Sequence, residues 1–501
     1  MIARLLIANR GEIAVRIARA CRELGIESVA VYSDADADAA HVAAADRAVR
    51  IGPAEARASY LDVQAVIDAA RATHADAVHP GYGFLSENEA FAEACERAGL
   101  IFVGPPAGVI ARMGSKIEAR RLAERAGVPV VPGVTPDDQS DTGLSNAIRE
   151  VGLPALIKAS AGGGGRGMRR IANLSEAVDA IQSARREAQA AFSDGTLYVE
   201  RLIEHPHHVE VQVMADAAGN TVHVFERECS VQRRHQKVIE ESPSPNLTPE
   251  LRARITGAAV RVAQAAGYRN AGTIEFLLDL SNGRGDDAPF YFLEMNTRLQ
   301  VEHPVTEQVA GVDLVHAQLQ VASGGGLPWT QFALTQRGHA IEARVYAEDP
   351  AQGFLPQAGR LLLYREPTTP GVRIDSGFRE GDRVPVHYDA LLAKVIATAE
   401  TRDAAIARLS QALAQFPILG IQTNVPFLIR VLQSDAFRSG TIETGFLDHE
   451  GRGLAQPETV EPPAFLRDVL EAAEHARPLV SSQDAAPVWD PWTRLTNRDL
   501  A

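Results

Sequence analysis

Three consecutive segments set the fold: Ile2-Ala-Arg-Leu-Leu-Ile-Ala8, Gly11-Glu-Ile-Ala-Val-Arg-Ile-Ala-Arg-Ala-Cys-Arg-Glu-Leu24 and Ser28-Val-Ala-Val-Tyr32. The first and third are short apolar runs of strand type. In the second, Ile13, Ile17, Ala20 and Leu24 recur at the helical period. The alternation continues with a helix near Leu61–Ala72, a strand near Ala77–His79, a helix near Asn88–Ala98 and a strand at Ile101–Val103. Strands alternating with helices of this length predict an α/β unit, a parallel sheet with helices on both faces. No GxGxxG follows the first strand, so nothing there points to a dinucleotide. A doubly wound unit without a cofactor of its own fits equally well.

Beyond this unit the pattern changes. A second unit opens near Ser115, with a polar, Pro-rich stretch (129–145), a strand, a Gly-rich loop and another strand. From Leu197 the runs alternate and are separated by polar turns at Ala217–Asn220 and Ser281–Ala288, which predicts an antiparallel sheet. A Gly-rich break at Ser323–Gly326 precedes a third unit. It has strands near Ala340–Tyr346 and Leu361–Tyr364, then helices near Arg402–Gln415 and Asn424–Leu432. The last fifty residues, with prolines in 457–463 and an amphipathic stretch at 464–475, read as an extension. The whole is therefore a combination of α/β and α+β.

Composition narrows the function. The 501 residues are 46% hydrophobic and 23% charged, with 50 basic and 64 acidic residues and a formal net charge of −14. Repulsion from a polyanion argues against sequence-independent nucleic-acid binding. Cys21, Cys95 and Cys229 have no metal-ligand spacing, and their odd number suits a reducing compartment. The apolar N-terminal run is too short for a signal peptide, because Asn9, Arg10 and Glu12 interrupt it. No apolar run reaches membrane-spanning length, so no membrane association is expected. The expected location is cytoplasmic.

Four segments carry chemistry. Ala161-Gly-Gly-Gly-Gly-Arg-Gly167 follows a strand, Pro154–Ala159, that holds Lys158. Glycine lets backbone N–H groups approach phosphate closely, so this is either a phosphate flap or a flexible surface loop. No GxxxxGK[ST] occurs. In Phe290–Glu302, an extended strand would put Glu294, Asn296, Arg298, Gln300 and Glu302 on one face, with Leu293, Met295, Leu299 and Val301 on the other. Glu275 lies on the preceding strand. Glu275, Glu294 and Asn296 would offer hard oxygen ligands to one or two Mg²⁺ ions. His208, Glu210 and Gln212 alternate with Val209, Val211 and Val213, and Gln232-Arg-Arg-His-Gln-Lys237 is a basic cluster. This cluster reads either as a solvated turn or as an anion contact, and a lone Arg344 reads first as an ion-pair partner.

These residues resemble the biotin carboxylases, the ATP-grasp component of biotin-dependent carboxylases, over about residues 1–450. The likeness rests on Ala8-Asn-Arg-Gly-Glu-Ile-Ala14, His79-Pro-Gly-Tyr-Gly-Phe-Leu-Ser-Glu-Asn88, the Gly-rich segment, Gln232–Lys237, Glu294–His303 and Glu342-Ala-Arg344. It implies a Rossmann-like N-terminal domain (1–114), an ATP-grasp domain (115–330) with a mobile lid (about 131–203), a C-terminal domain (331–450) and an extension (451–501). It implies ATP contacts at Lys116, Lys158, Gly163, Gly164, Gly165, Glu200, Arg201, Leu202, Ile203, His208, Gln232, His235 and Glu275. It implies two Mg²⁺ or Mn²⁺ ions held by Glu275, Glu294 and Asn296. Lys237, Arg298, Gln300, Val301 and Glu302 are implied to bind bicarbonate, with Glu302 as base. Tyr82 and Arg344 are implied to contact biotin, Arg344 stabilising its enolate.

The resemblance also sets expectations about partners. The segment Thr444-Gly-Phe-Leu-Asp448 and Asp490-Pro-Trp492 look like the α subunits of acyl-CoA carboxylases. Ala161 replaces a frequent glycine, and Tyr388-Asp-Ala-Leu-Leu-Ala-Lys394 departs in its middle. A homodimer is expected through the helix bearing Arg16, Arg19 and Glu23 together with the third domain. No Met-Lys pair occurs, so biotin is expected on a separate carrier protein, with a carboxyltransferase also in trans. A non-catalytic ATP-binding subunit and a carbamoyl-phosphate synthetase-like ligase are the competing readings.

Overall fold

The structure is a computed structural model that describes residues 2–160, 167–281 and 283–456. Gly163, Gly164 and Gly165, and the stretch 464–475, lie outside the described residues. The first unit is a five-stranded parallel sheet in the order Arg47–Gly52, Glu27–Ser33, Arg4–Ile7, Ala77–His79, Ile101–Phe102. The helix Gly11–Leu24 buries Ile13, Ile17, Ala20 and Cys21. Gly25, at φ 70°, ends it in the left-handed conformation that glycine favours, and Ile26 N–H then bonds the Cys21 carbonyl at 2.8 Å. The strand Arg47–Gly52 is absent from the sequence reading. It is an edge strand in which three of six residues are exposed and Arg47 and Arg50 interrupt the apolar ones, so no continuous apolar run betrays it.

Chain order reverses direction across this sheet between the strands Arg4–Ile7 and Ala77–His79. That is a topological switch point, and the segments leaving the carboxyl ends of those strands, Ala8–Gly11 and Pro80–Phe84, face one crevice there.

The second sheet is antiparallel throughout and has eight strands. Their order is Phe290–Asn296, Asn270–Leu278, His207–Ala215, Thr221–Arg233, Gln236–Ser242, His339–Tyr346, Leu391–Ala399, Val372–Ser376. One face of its first half, with Val209, Val211, Val213, Ile274 and Phe276, packs on the helix Pro249–Ala266. The alternation read from the sequence holds here: His208, Glu210 and Gln212 take the opposite face. The sheet does not stop at the Gly-rich break. Ile239 pairs with Ala343 and Glu240 with Glu342, so the third region's strands extend the same sheet.

A smaller four-stranded antiparallel sheet comprises Gly133–Val134, Leu197–Arg201, Ala155–Ala159 and Arg169–Ile171. The helices Asp141–Val151 and Ala177–Phe192 cover it, and its core (Leu144, Ile148, Ile157, Ile181, Val199) is separate from the others.

Two expectations are corrected. The strand beginning at Phe290 ends at Asn296, and residues 297–302 form a turn leading into the helix His303–Ala310. The register slips beside Leu293, since Glu275 pairs with Glu294 but Phe276 pairs with Phe292. This bulge turns both Leu293 and Glu294 toward the same cleft. Arg16 is not a surface residue. It is buried and bonds Glu307 at 3.0 Å and Asp313 at 2.7 Å within the chain, whereas Arg19 and Glu23 stay exposed. All three cysteines are buried and free. Among the described residues no helix is long and apolar enough to cross a membrane.

Candidate active site

The face of the large sheet opposite the helix Pro249–Ala266 forms the floor of a cleft of about 410 Å³. Every described site residue named from the sequence lines it except Tyr82: Lys116, Lys158, Glu200, Arg201, Leu202, Ile203, His208, Gln232, His235, Lys237, Glu275, Glu294, Asn296, Arg298, Gln300, Val301, Glu302 and Arg344. Tyr82 lines an adjoining cleft of about 550 Å³ at the switch point, with Asn9, Arg10, Glu12 and Phe84. Arg298, Val301 and Arg344 line both.

The basic cluster is a hairpin. Arg234 and His235 sit at φ 49° and 65°, a two-residue turn that non-glycine residues enter at a cost. The turn sets Gln232 opposite Lys237 and aims both into the cleft. Lys237 Nζ then meets three carboxylates: Glu210, Glu275 at 2.9 Å and Glu302 at 2.7 Å. Burial alone would lower its pKa, but these carboxylates reverse the effect and hold the ammonium well above its usual range. Glu302 is the converse case. Burial would raise it, yet Lys237, Arg344 and Arg227 together hold it well below the usual carboxylate range. Its two oxygens are shared between two cations, Lys237 on Oε1 and Arg344 on Oε2 at 2.9 Å.

Glu275 accepts from Asn296 Nδ2 at 2.9 Å and Gln300 Nε2 at 3.2 Å, and its other oxygen lies 2.9 Å from His208 Nε2. Glu294 stands opposite Glu275 across the strand pair. Burial first, and the Glu275 charge second, push its carboxyl up. A buried carboxylate beside a half-buried one, the second destabilised by the first, forms a hard-oxygen donor set that a divalent cation suits. The Asn296 carbonyl oxygen already accepts from Arg298 at 2.8 Å, so its amide bridges Glu275 to Arg298. Arg298 also bonds Gln300 at 2.7 Å and Glu87 at 2.9 Å.

On the opposite wall Lys158 pairs with Glu200 at 2.5 Å, and Arg120 reaches the other Glu200 oxygen at 2.7 Å. Lys116 opens the helix Lys116–Arg125, whose N-cap is Ser115; burial lowers the Lys116 pKa, against the pull of Glu294.

Several partners escaped the sequence reading. Arg227 is fully buried and bonds Glu210, Gln212 at 2.9 Å, Thr306 at 2.9 Å and Thr273 at 3.1 Å, thereby fixing the carboxylate that faces Lys237. Glu240 accepts from Arg344; burial, only partly offset by Arg344, pushes its pKa up to about 7. Glu87 lay in plain view within the His79–Asn88 motif, and Glu210 on the same strand face as His208. Their roles depend on partners dozens to hundreds of residues away.

Comparison with known proteins adds lineage to this geometry. The family models described as "Biotin carboxylase, N-terminal domain", "Carbamoyl-phosphate synthase L chain, ATP binding domain" and "Biotin carboxylase C-terminal domain" match residues 1–110, 115–330 and 342–449. The chain is 50% identical to biotin carboxylase 1 of Bacillus subtilis over 451 residues, 89% of this chain and 98% of that one. It is 49% identical over 459 residues to the mitochondrial methylcrotonoyl-CoA carboxylase subunit alpha of Oryza sativa subsp. japonica, covering 91% of this chain. It spans only 62% of that relative's length. The biotin carboxylase domain of Hydrogenobacter thermophilus 2-oxoglutarate carboxylase, solved as a dimer with MgADP, ADP and bicarbonate, superposes with a TM-score of 0.87 at 42% identity, covering 91% of this chain and 100% of that one. With its parallel N-terminal sheet, its ATP-grasp cleft and a near full-length relative at half identity, the chain belongs to the biotin carboxylase family.

Proposed function

We propose that this chain is an ATP-dependent ligase that carboxylates biotin, the first half-reaction of an acyl-CoA carboxylase. The observation that carries the reading is the junction of the two clefts at Arg298, Val301 and Arg344, with Glu302 held between Lys237 and Arg344. One cleft suits a nucleotide and an anion, and the other is a switch-point pocket reached past the same arginine.

Lys116 and Lys158 balance phosphate charge, and Glu200 to Ile203 line the end of the cleft suited to the base. Lys237, Arg298, Gln300 and the Val301 backbone bind bicarbonate. Glu302 takes its proton as a bicarbonate oxygen attacks the γ-phosphorus, giving ADP and carboxyphosphate. Its cationic neighbours keep Glu302 free of a proton, while also weakening it as a base. Carboxyphosphate breaks down to CO₂ and phosphate, the phosphate takes the N1 proton of biotin, and the biotin nitrogen attacks CO₂. Arg344 stabilises the negative charge on the ureido oxygen. Glu275 and Glu294 are the residues to hold Mg²⁺ or Mn²⁺, which when bound neutralises phosphate charge and polarises the γ-phosphoryl group. Tyr82 borders the biotin pocket.

The biotin comes from a carrier protein, with a carboxyltransferase acting afterwards and a homodimer as the working state; the exposed Arg19 and Glu23 support that assembly. The test is ATP hydrolysis by the purified chain with and without bicarbonate and free biotin. Hydrolysis that depends on bicarbonate and rises with biotin is expected. Turnover indifferent to both, or attack of ammonia on the carboxyl carbon of carboxyphosphate to give carbamate and phosphate, would overturn the reading.

A further inference from the structure

The strand Leu391–Ala399 lies beside His339–Tyr346, with Lys394 directly opposite Arg344. Side chains paired across adjacent strands project from one face. Both cations reach the same turn. Arg344 Nη2 donates to Glu302 Oε2 at 2.9 Å, and Lys394 Nζ donates to the Val301 carbonyl at 2.8 Å. Lys394 is fully buried. Its charge is met by Glu12 Oε1 at 3.0 Å, with Asp375 at 3.9 Å, and Glu12 in turn accepts from the Tyr82 hydroxyl. Glu12, Tyr82, Val301 and Arg344 all line the switch-point cleft. A buried ammonium carries a large desolvation cost that an apolar side chain would avoid. Glu12 accounts for its charge. It does not account for the contact with a backbone carbonyl one residue before the base.

We propose that Lys394 is a positioning residue for the reaction. By holding the Val301 carbonyl while Arg344 holds the Glu302 carboxylate, it fixes the peptide from which Glu302 projects. It is also the one group, among the described residues, seen to bond both that turn and Glu12 in the wall of the biotin pocket. The inference rests on Glu302 acting as the base.

Lys394 does not line the nucleotide cleft, so its signature is a split in kinetics. Without it, the KM for bicarbonate rises about tenfold and kcat falls, the size expected for losing one charged hydrogen bond that aligns a reacting group. The KM for ATP stays within about twofold, below what one lost hydrogen bond produces.

The experiment measures bicarbonate-dependent ATP hydrolysis on the full chain. Lys394→Met leaves Glu12 buried without its cation, so Glu12→Gln/Lys394→Met is made beside it to remove both charges. Glu12→Gln/Lys394→Gln keeps an N–H donor for the Val301 carbonyl. The Met double variant is expected to fold and show the bicarbonate defect with an unaltered KM for ATP, and the Gln double variant to recover most of it. Equal behaviour of the two double variants, a parallel rise in both KM values, or failure of every variant to fold would each overturn the proposal in favour of a purely structural ion pair. Wild-type protein lacking bicarbonate dependence would instead sink the functional reading on which the proposal rests.

Discussion

The eight-stranded sheet and the four-stranded sheet above it solve the same electrostatic problem in different ways. On the large sheet, cations are multiply braced: Lys237 by three carboxylates, Arg344 by Glu240 and Glu302, Arg227 by four side chains. Charge on that floor is fixed before any ligand arrives, so little reorganisation is needed when a bound anion develops new charge. The small sheet presents Lys158 and Glu200 to the cleft, with Arg120 reaching Glu200 from the helix Lys116–Arg125, on a layer with its own core. Such a layer can shift as one body without breaking the register of the floor. The difference supports placing the proposed chemistry on the large sheet and the expected lid movement on the small one.

If that division holds, the largest effect should follow from the floor. Glu302→Gln keeps the shape but removes the proton acceptor and one anion between Lys237 and Arg344. Bicarbonate-dependent ATP hydrolysis should fall by about 10²–10⁴-fold, with ATP affinity by calorimetry close to wild type. A large loss of ATP affinity would mean that Glu302 supports the cleft rather than the proton transfer.

Arg344→Ala comes next. Biotin carboxylation should drop by about 10²–10³-fold, the usual loss for one preorganised charge. Hydrolysis of ATP should fall less, because Lys237 keeps its grip on Glu302 Oε1. Equal losses in both assays would show that Arg344 acts mainly through Glu302 rather than on biotin.

The third test moves to the small sheet. Leu144 is fully buried in its separate core. Leu144→Ala should cost about 2–5 kcal/mol locally. Amide exchange should quicken in residues 133–159 and 167–201 while the floor strands stay protected, and the KM for ATP should rise more than the KM for bicarbonate. Loss of protection across both sheets at once would erase the distinction drawn between them.

Much of this was legible in the sequence, for local reasons. The helical period of Gly11–Leu24 and the alternation in His207–Ala215 are short-range signals, and both appear in the structure. The Glu275–Glu294 pair was legible because a hairpin connects neighbouring strands. What was not legible depends on distant partners or on broken rules. Arg16 looks like a surface arginine until Glu307 and Asp313 fold over it. The edge strand Arg47–Gly52 has its apolar residues broken up by Arg47 and Arg50. Extending period two past Asn296 fails because the chain turns there, yet Arg298, Gln300 and Glu302 still converge, held by Glu87, Lys237 and Arg344. Lys394 ends the segment Tyr388–Lys394, and its use appears only when its strand is placed beside Arg344.

The smallest effect expected is also the one that probes the floor's brace most directly. Glu342 is fully buried, and neither carboxyl oxygen has a hydrogen-bond partner among the described residues. It faces Glu240 across the strand pair. Burial, with Glu240 and Glu302 adding to it and Lys394 and Arg344 opposing, holds its pKa well above the ordinary 4.5. That direction favours the protonated acid at the edge of a dense charge network. The unfolded chain releases that proton near 4.5 while the folded chain keeps it. Above that pH the unfolded state binds fewer protons, so stability declines as pH rises, until the folded group ionises as well. Glu342→Gln is nearly isosteric, neutral at every pH, and carries no such decline. At about pH 5 its stability should lie within about 1 kcal/mol of wild type, since no hydrogen bond is lost. Moving to about pH 8 should shift the difference in Tm in favour of the variant, with activity changed little. A variant that loses ground as pH rises would show Glu342 to be ionised in the folded protein, one more anion bracing Lys394 and Arg344.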